Sequence, residues 1–198
     1  MQNTDLGTSI RGFFTQHLVA QRGLSGNTVL AYRDTFKLLL EFAAHHRHKA
    51  CTELNVADFT ADTVRRFLDD LEKKRHNGVA TRNLRLAAIH SFFQYLAATD
   101  PRHLAQAQSV LAVPFKRHGQ RVPEYIERNE VQAIFAKIDC RAPLGQRDDA
   151  LLRMLYNTGM RAQELVDLDV NHLRFSRPSY VRILGKGRRE RTCPLWKE

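Results

Sequence analysis

The chain has 198 residues, of which 43% are hydrophobic, and its 31 lysines and arginines outnumber 21 acidic residues to give a formal net charge of +10. No run approaches the roughly 18 consecutive apolar residues of a membrane span, and the N-terminus lacks the apolar stretch of a signal peptide, so we predict no membrane association. Three scattered cysteines without a C-x-x-C pair argue against a disulfide framework or zinc site and favour a cytoplasmic protein. The basic excess favours a polyanionic partner.

Residues 7–98 are predicted to form an independent bundle of four amphipathic helices. Each carries apolar side chains at helical spacing, and the first three also have polar residues suited to capping at their start or a glycine at their end. The first is predicted over residues 8–22 with Gly23 ending it, and the second begins near Ser25 or Asn27 and continues to the histidines at 45–48. The third starts at Thr60 or Asp62, and the fourth spans residues 80–98. Short helices of this kind bury their apolar stripes against one another.

Residues 99–123 are predicted to be a linker, because prolines and basic residues punctuate them. Residues 124–198 then form a second domain. Its predicted helices begin near Glu127, Arg147 and Ala162, and residues 180–184 partly alternate in polarity as a strand does. The chain is therefore predicted to be mainly α, with a small α+β region that ends in a β-hairpin.

Two cations in the second domain stand where the backbone turns. Arg161 follows a break at Thr158-Gly159 and opens a short helix, where free N–H groups and the helix dipole suit an anion. Glu164 is placed to hold the Arg161 guanidinium by an i,i+3 ion pair. Lys186 lies between Gly185 and Gly187 at the predicted hairpin tip. The alternative for each is an ordinary surface ion pair or a solvated lysine.

These motifs together resemble the tyrosine recombinases of the Xer and phage-integrase family. The first motif is Tyr156-x-Thr158-Gly159-x-Arg161-x-x-Glu164-Leu165-x-x-Leu168, and the second is Gly185-Lys186-Gly187-x-x-Glu190-Arg191. The N-terminal pattern Leu24-Ser25-x-x-Thr28-x-x-x-Tyr32 and the helix with Arg82 and Arg85 resemble the family's core-binding domain. The resemblance implies a SAM-like four-helix core-binding bundle over 7–98, a linker over 99–123, and the first part of a catalytic domain over 124–198.

The resemblance also implies roles for the two cations and their acid. Arg161 would bind the scissile phosphate, Lys186 would protonate the departing 5′-oxygen, and Glu164 would support Arg161. No cofactor is implied. No metal site is predicted either, because His45, His46 and His48 point in different directions on a helix, with no acid or cysteine completing a set.

Further candidates for DNA contact lie on two predicted helices and on the hairpin. Helices present polar and basic side chains to phosphates and base edges in the major groove. The candidates are Thr28, Tyr32, Arg33, Thr81, Arg82 and Arg85 in the bundle, and Arg188, Arg189 and Arg191 on the hairpin. The alternative is that Tyr32 and Tyr95 are core aromatics and that the arginines only solvate the surface; for Tyr95 the core role is favoured.

The sequence departs from the family pattern after Lys186. The His-x-x-Arg motif, the second His or Trp and the nucleophilic tyrosine are missing from residues 187–198, so we predict a truncated catalytic domain that forms no phosphotyrosine alone. The predicted function is DNA binding in site-specific recombination or integration. The alternative is a non-catalytic protein that competes at recombination sites; RNA binding rests on charge alone. The predicted partner is double-stranded DNA, with self-association or a full-length recombinase as further candidates.

Overall fold

The computed structural model describes residues 5–117, 119, 124–185, 187 and 189–195. It confirms the predicted fold class, because most described residues are helical and a three-stranded antiparallel sheet is the only β element among them. The chain divides into two compact units, Met1–Arg121 and Val122–Glu198, which we call the N-terminal and C-terminal units. None of the helices in the described ranges is long and apolar enough to cross a membrane.

The N-terminal unit contains the four predicted helices. In chain order they are α1 (Asp5–Gly12), continued by a π-helix over Phe13–Gln21, then α2 (Gly26–Arg47), α3 (Ala61–Lys73) and α4 (Val79–Thr99). The predicted capping residues are confirmed for two of them. The Ser25 hydroxyl accepts the N–H of Thr28 at 3.4 Å, and the Thr60 hydroxyl accepts the N–H of Thr63 at 3.2 Å. These side chains satisfy backbone donors that have no partner within the helix.

The first helix differs from the prediction, which was an unbroken α-helix. Its second half has the wider i→i+5 hydrogen bonding of a π-helix. In that geometry, side chains five positions apart share one face, and Phe13 and Leu18 are both completely buried. A uniform α-helical spacing of the apolar residues could not reveal this change of pitch.

An aromatic cluster forms the centre of the N-terminal core. The Phe13 ring lies 5.4 Å from that of Phe92 and 5.9 Å from that of Phe36, measured between ring centroids. The Tyr95 ring lies 5.6 Å from the Phe13 ring, as expected for a core aromatic. Tilted and edge-to-face contacts of this kind add to the hydrophobic gain from burial. The cluster joins α2, α4 and the π-helix.

The segment predicted as a linker is largely ordered structure, which corrects that expectation for its first half. A 3₁₀ turn over Pro101–His103 leads into α5 (Leu104–Leu111), whose Ala107 and Val110 are completely buried. The apolar stretch of α5 is short, and prolines and charged residues surround it, so the sequence alone favours a linker here. The Asn83 side chain also donates to the carbonyl of Lys116 at 2.7 Å and accepts the Lys116 N–H at 3.1 Å. These hydrogen bonds therefore hold the chain against the bundle as far as residue 116.

In its described residues, the C-terminal unit has three helices and a small sheet. The helices are α6 (Arg128–Ala136), α7 (Pro143–Thr158) and α8 (Ala162–Val166), and a 3₁₀ turn over Val170–His172 follows them. The strands β1 (Leu173–Arg174), β2 (Tyr180–Leu184) and β3 (Glu190–Pro194) pair in that order, all antiparallel. The alternation predicted for β2 is confirmed, because Val181 and Ile183 are buried; the two-residue β1 was not predicted.

The described core of the C-terminal unit is small. Its buried apolar residues are Met160, Val181 and Ile183, and partly buried side chains such as Leu165 and Leu168 pack against them. Many large apolar side chains of the unit are exposed; these include Tyr125, Ile126, Leu144, Tyr156, Val166, Val170 and Phe175. The N-terminal unit therefore has much the larger described core.

Candidate functional site

The candidate site begins where α7 ends. Gly159 terminates α7 in the left-handed conformation with φ of 60°, which glycine adopts without the steric cost of a side chain. Met160 is then buried in the core, and Arg161 follows in an extended conformation immediately before α8. This confirms the predicted break and places Arg161 at the start of the next helix.

Glu164 is the central residue of the site, because its carboxylate accepts hydrogen bonds from two arginines. The Arg161 side chain donates Nη1 to Oε1 at 3.0 Å, and its backbone N–H donates to Oε2 at 2.9 Å. Arg191 on β3 donates Nη1 to Oε1 at 3.2 Å and Nη2 to Oε2 at 2.6 Å. Each carboxylate oxygen thus receives one hydrogen bond from each arginine. The predicted i,i+3 pair between Arg161 and Glu164 is present, and Arg191 is a second partner of Glu164 that the sequence did not predict.

The three charged groups differ greatly in exposure. The Glu164 side chain is only 6% exposed, Arg191 is 38% exposed, and Arg161 is 71% exposed. The Arg191 hydrogen bonds, followed by that of the Arg161 backbone, lower the pKa of Glu164 from 4.5 to about 2. Glu164 is therefore ionised at neutral pH. One carboxylate offsets two guanidinium groups, so the cluster retains one net positive charge next to solvent.

The hairpin end lies against this cluster. The N–H of Gly185 donates to the carbonyl of Arg189 at 2.7 Å, which closes the β2–β3 turn. A side chain at Gly185 would lie 3.3 Å from Glu164 Oε1 and 3.3 Å from Arg191 Nη1, so only glycine fits without displacing a neighbour. Arg189 is exposed. Lys186 and Arg188 lie outside the described residues, so the convergence of Lys186 with Arg161 stays a prediction.

The candidates on α2 occupy one stretch of its first three turns. Thr28 is partly buried, and its hydroxyl lies 2.9 Å from that of Ser25. The ring of Tyr32 stacks on Phe13 with centroids 6.4 Å apart, so Tyr32 contributes to the core while its residue stays partly exposed. Arg33 is exposed and pairs with Asp34 at 3.0 Å. Tyr32 therefore packs as a core aromatic, the alternative given above to a DNA contact.

Arg82 is placed differently from its predicted position in a DNA interface. Its residue is 5% exposed, and the guanidinium Nη1 donates to Asn83 Oδ1 at 3.0 Å and to the Pro114 carbonyl at 3.2 Å. Its Nε also lies 4.0 Å from Glu72. A guanidinium enclosed in this way cannot reach a phosphate without leaving these partners. Arg82 therefore connects α4 to the chain that follows α5.

Arg85 keeps a position compatible with its prediction, and Thr81 is also partly exposed. Partial burial and the nearby Arg75 lower the pKa of Arg85, whereas Asp34 on α2 acts in the opposite direction. The Arg85 Nε has no hydrogen-bond partner among the described residues. Arg85 thus brings a cation of α4 close to the charged residues of α2 and to Arg75.

No metal centre accompanies these residues in the described part of the chain, where no three His, Cys, Asp or Glu side chains are grouped to hold an ion. What the site offers chemically is an exposed guanidinium beside a glycine-bounded turn, backed by a buried and ionised carboxylate. Such an arrangement can bind and orient an anion with several oxygens, because guanidinium groups match phosphate geometry.

Comparison with known proteins places both units in one family. The family model described as "Phage integrase, N-terminal SAM-like domain" matches residues 13–100, and that described as "Phage integrase family" matches residues 124–198. The candidate integrase/recombinase y4rC of Sinorhizobium fredii is 41% identical over 99% of the chain, which covers 59% of y4rC. The candidate integrase/recombinase y4rD of the same organism is 38% identical over 96% of the chain, which covers 68% of y4rD.

Similarity extends to more distant proteins. The tyrosine recombinase XerC of Escherichia coli is 31% identical over 97% of the chain, which covers 60% of that relative. A similar solved structure is the crystal structure of residues 75–356 of lambda integrase, a dimer bound to a core site. The match covers 96% of this chain and 62% of the lambda integrase chain, with a TM-score of 0.67 and 16% sequence identity. At that identity, the likeness supports the fold. The chain spans about three fifths to two thirds of the length of these relatives.

Proposed function

The chain belongs to the phage integrase family of tyrosine recombinases, and from this we propose that it binds double-stranded DNA in site-specific recombination. Neighbours of the same fold include the XerH recombinase bound to a difH substrate and lambda integrase bound to a core site. These ligands belong to those proteins; the net charge of +10 supports a similar partner for this chain.

The single observation that carries the proposal is the uneven charge of the Arg161–Glu164–Arg191 cluster. Both terminal nitrogens of Arg191 donate to the Glu164 carboxylate, whereas the Arg161 side chain donates only Nη1, so the carboxylate is paired mainly from the β3 side. Among the described residues the Arg161 side chain donates hydrogen bonds only to Glu164, and most of the side chain faces solvent. Its remaining N–H groups are therefore available to a phosphate oxygen, and they are held in place by the carboxylate behind them.

In the proposed reaction, Arg161 binds the scissile phosphate and stabilises the charge that develops on its oxygens during strand cleavage. Donors preorganised for that charge supply a large part of an enzyme's rate enhancement. By resemblance, Lys186 protonates the departing 5′-oxygen. No tyrosine of the printed sequence occupies the nucleophile's position in the family pattern. We therefore assign the phosphotyrosine linkage to none of its residues.

We propose a second DNA contact on the N-terminal unit. Its members are Thr28, Tyr32 and Arg33 on α2 and Thr81 and Arg85 on α4. Arg33 and Arg85 are the cations among them; Arg33 is exposed and Arg85 is partly exposed, unlike Arg82. Arg82 is excluded because it is buried. On the hairpin, Arg188 and Arg189 remain proposed phosphate contacts.

DNA binding is tested by fluorescence anisotropy of a labelled duplex titrated with the protein. The titration is repeated between roughly 50 and 300 mM salt, a range over which salt increasingly screens exposed charges. We expect affinity to fall steeply as salt increases, because each neutralised phosphate releases counterions. Absence of binding at low salt would refute the proposal. A denaturation-resistant adduct on a nicked duplex would instead identify a nucleophile among the described tyrosines and contradict the assignment above.

We also infer a cytoplasmic location, because Cys51, Cys140 and Cys193 are unpaired and two of them are exposed. Unpaired thiols persist in reducing compartments. Association with a second copy or with a longer recombinase is part of the same proposal. It is testable by adding the chain in excess to a recombination assay of such an enzyme, where a decrease in recombination is expected.

A further inference from the structure

Arg191 has a geometry that differs from that of a DNA-contacting arginine. Both of its terminal nitrogens donate to Glu164, one to each carboxylate oxygen, at 3.2 and 2.6 Å. This two-point arrangement fixes the plane of the carboxylate, which a single hydrogen bond would leave free to rotate. The Glu164 side chain is almost completely buried, so it cannot turn towards solvent instead.

The orientation of Glu164 in turn determines that of Arg161. The same two oxygens accept the Arg161 backbone N–H and Nη1. The carboxylate therefore restrains both the start of α8 and the end of the Arg161 side chain. Because Gly185 closes against Glu164 Oε1 and Arg191 Nη1, the hairpin end completes the enclosure.

We propose that Arg191 is a positioning residue for DNA phosphate binding, which acts through Glu164 on Arg161 and does not itself contact the phosphate. This proposal rests on the proposed function, since it concerns the same phosphate site. It revises the sequence-based expectation that Arg191 binds DNA directly. Two different roles are thereby assigned to the two arginines of the cluster: Arg161 donates to the phosphate, and Arg191 keeps Arg161 in the donating orientation.

The experiment is a double-mutant cycle on duplex affinity, measured by anisotropy with the full chain. The variants are Arg191→Ala, Glu164→Gln and the two combined. If Arg191 acts through Glu164, each single change weakens binding by about three- to tenfold, and the combined variant is no weaker than the weaker single variant. If Arg191 contacts DNA directly, the two losses multiply, and that result overturns the proposal.

Arg191→Lys provides a second, charge-conserving measurement. Lysine keeps the positive charge but cannot supply the planar two-point contact with a carboxylate. A positioning role therefore predicts that Arg191→Lys loses most of the affinity lost by Arg191→Ala. Retention of wild-type affinity would show that only the charge matters and would overturn the proposal. Thermal melts followed by circular dichroism identify a temperature at which every variant is folded, and affinities are compared there. If Arg191→Ala does not fold, Arg191→Lys replaces it, measured alone and combined with Glu164→Gln.

Arg161→Ala separates this inference from the function on which it rests. If Arg161→Ala binds the duplex as tightly as the wild type, the phosphate site itself is wrong, and the positioning role is wrong with it. If Arg161→Ala weakens binding but the Arg191 and Glu164 effects multiply, only the positioning role is wrong. A purely structural Arg191 would lower the melting temperature and leave the affinity of the folded protein unchanged, which also overturns the proposal.

Discussion

Replacement of Arg82 by alanine should destabilise the N-terminal unit without a specific loss of DNA affinity. The substitution removes hydrogen bonds to Asn83 Oδ1 and to the Pro114 carbonyl, at 3.0 and 3.2 Å, and removes a cation near Glu72. Hydrogen bonds to charged groups contribute ~1.5–3 kcal/mol each, but water will enter part of the space left. We therefore expect a loss of about 2–4 kcal/mol in the free energy of unfolding.

The assay is urea unfolding of the full chain followed by circular dichroism, together with duplex affinity at a temperature where the variant is folded. Arg66→Ala is the matched control, because Arg66 forms an exposed i,i+4 pair with Asp62 at 2.8 Å. Such a pair contributes ~0.5 kcal/mol or less. Arg82→Ala and Arg66→Ala should lose the same small amount of affinity, that of one distant charge. An Arg82→Ala protein of wild-type stability with selectively weakened DNA binding would refute the assignment.

Three further outcomes follow from the packing and the charges. Phe13→Ala, at the centre of the aromatic cluster, should cost about 3–5 kcal/mol in urea unfolding; a loss below about 1 kcal/mol would contradict its central position. The pKa of Glu164 is lowered from 4.5 to about 2, so its stabilising contribution is complete above pH 4.5 and is lost as the pH falls towards 2. The Glu164→Gln variant should therefore lose less stability than the wild type as the pH falls from 4.5 towards 2. Identical acid unfolding curves for the two proteins would count against the buried ion pair. Limited proteolysis should leave a fragment within residues 5–117 after the C-terminal unit is digested, because many apolar side chains of that unit are exposed; survival of the C-terminal unit instead would reverse this ranking.

The helices of the N-terminal unit were predictable because local signals agree with the tertiary packing. Ser25 and Thr60 are capping residues at the observed helix starts; in the C-terminal unit, Gly159 likewise ends α7 as the sequence indicated. The π-helix and α5 were not predictable in this way. The first requires knowledge of which residues five apart are buried together, and the second depends on contacts with α3 and α4.

The candidate site was predictable only within single elements. The Arg161–Glu164 pair follows from i,i+3 spacing, but Arg191 lies 27 positions from Glu164 and reaches it through the pairing of β2 with β3. Arg82 shows the opposite limit. Arg82 lies on the same helical face as the buried Leu86, Ile89 and Phe93, but the charge of an arginine favoured an exposed side chain, and its partner carbonyl at Pro114 lies 32 positions away.

The most direct test of the central claim is the salt dependence of duplex affinity for Arg161→Ala beside the wild type and Arg147→Ala. Arg147 is a matched control in the same unit, paired with Asp148 at 2.7 Å and exposed. If Arg161 holds a DNA phosphate, its removal should lower the slope of log affinity against log salt by roughly 0.9, the value for one phosphate contact, whereas Arg147→Ala keeps the wild-type slope. Equal slopes and equal affinities for Arg161→Ala and the wild type would contradict the claim.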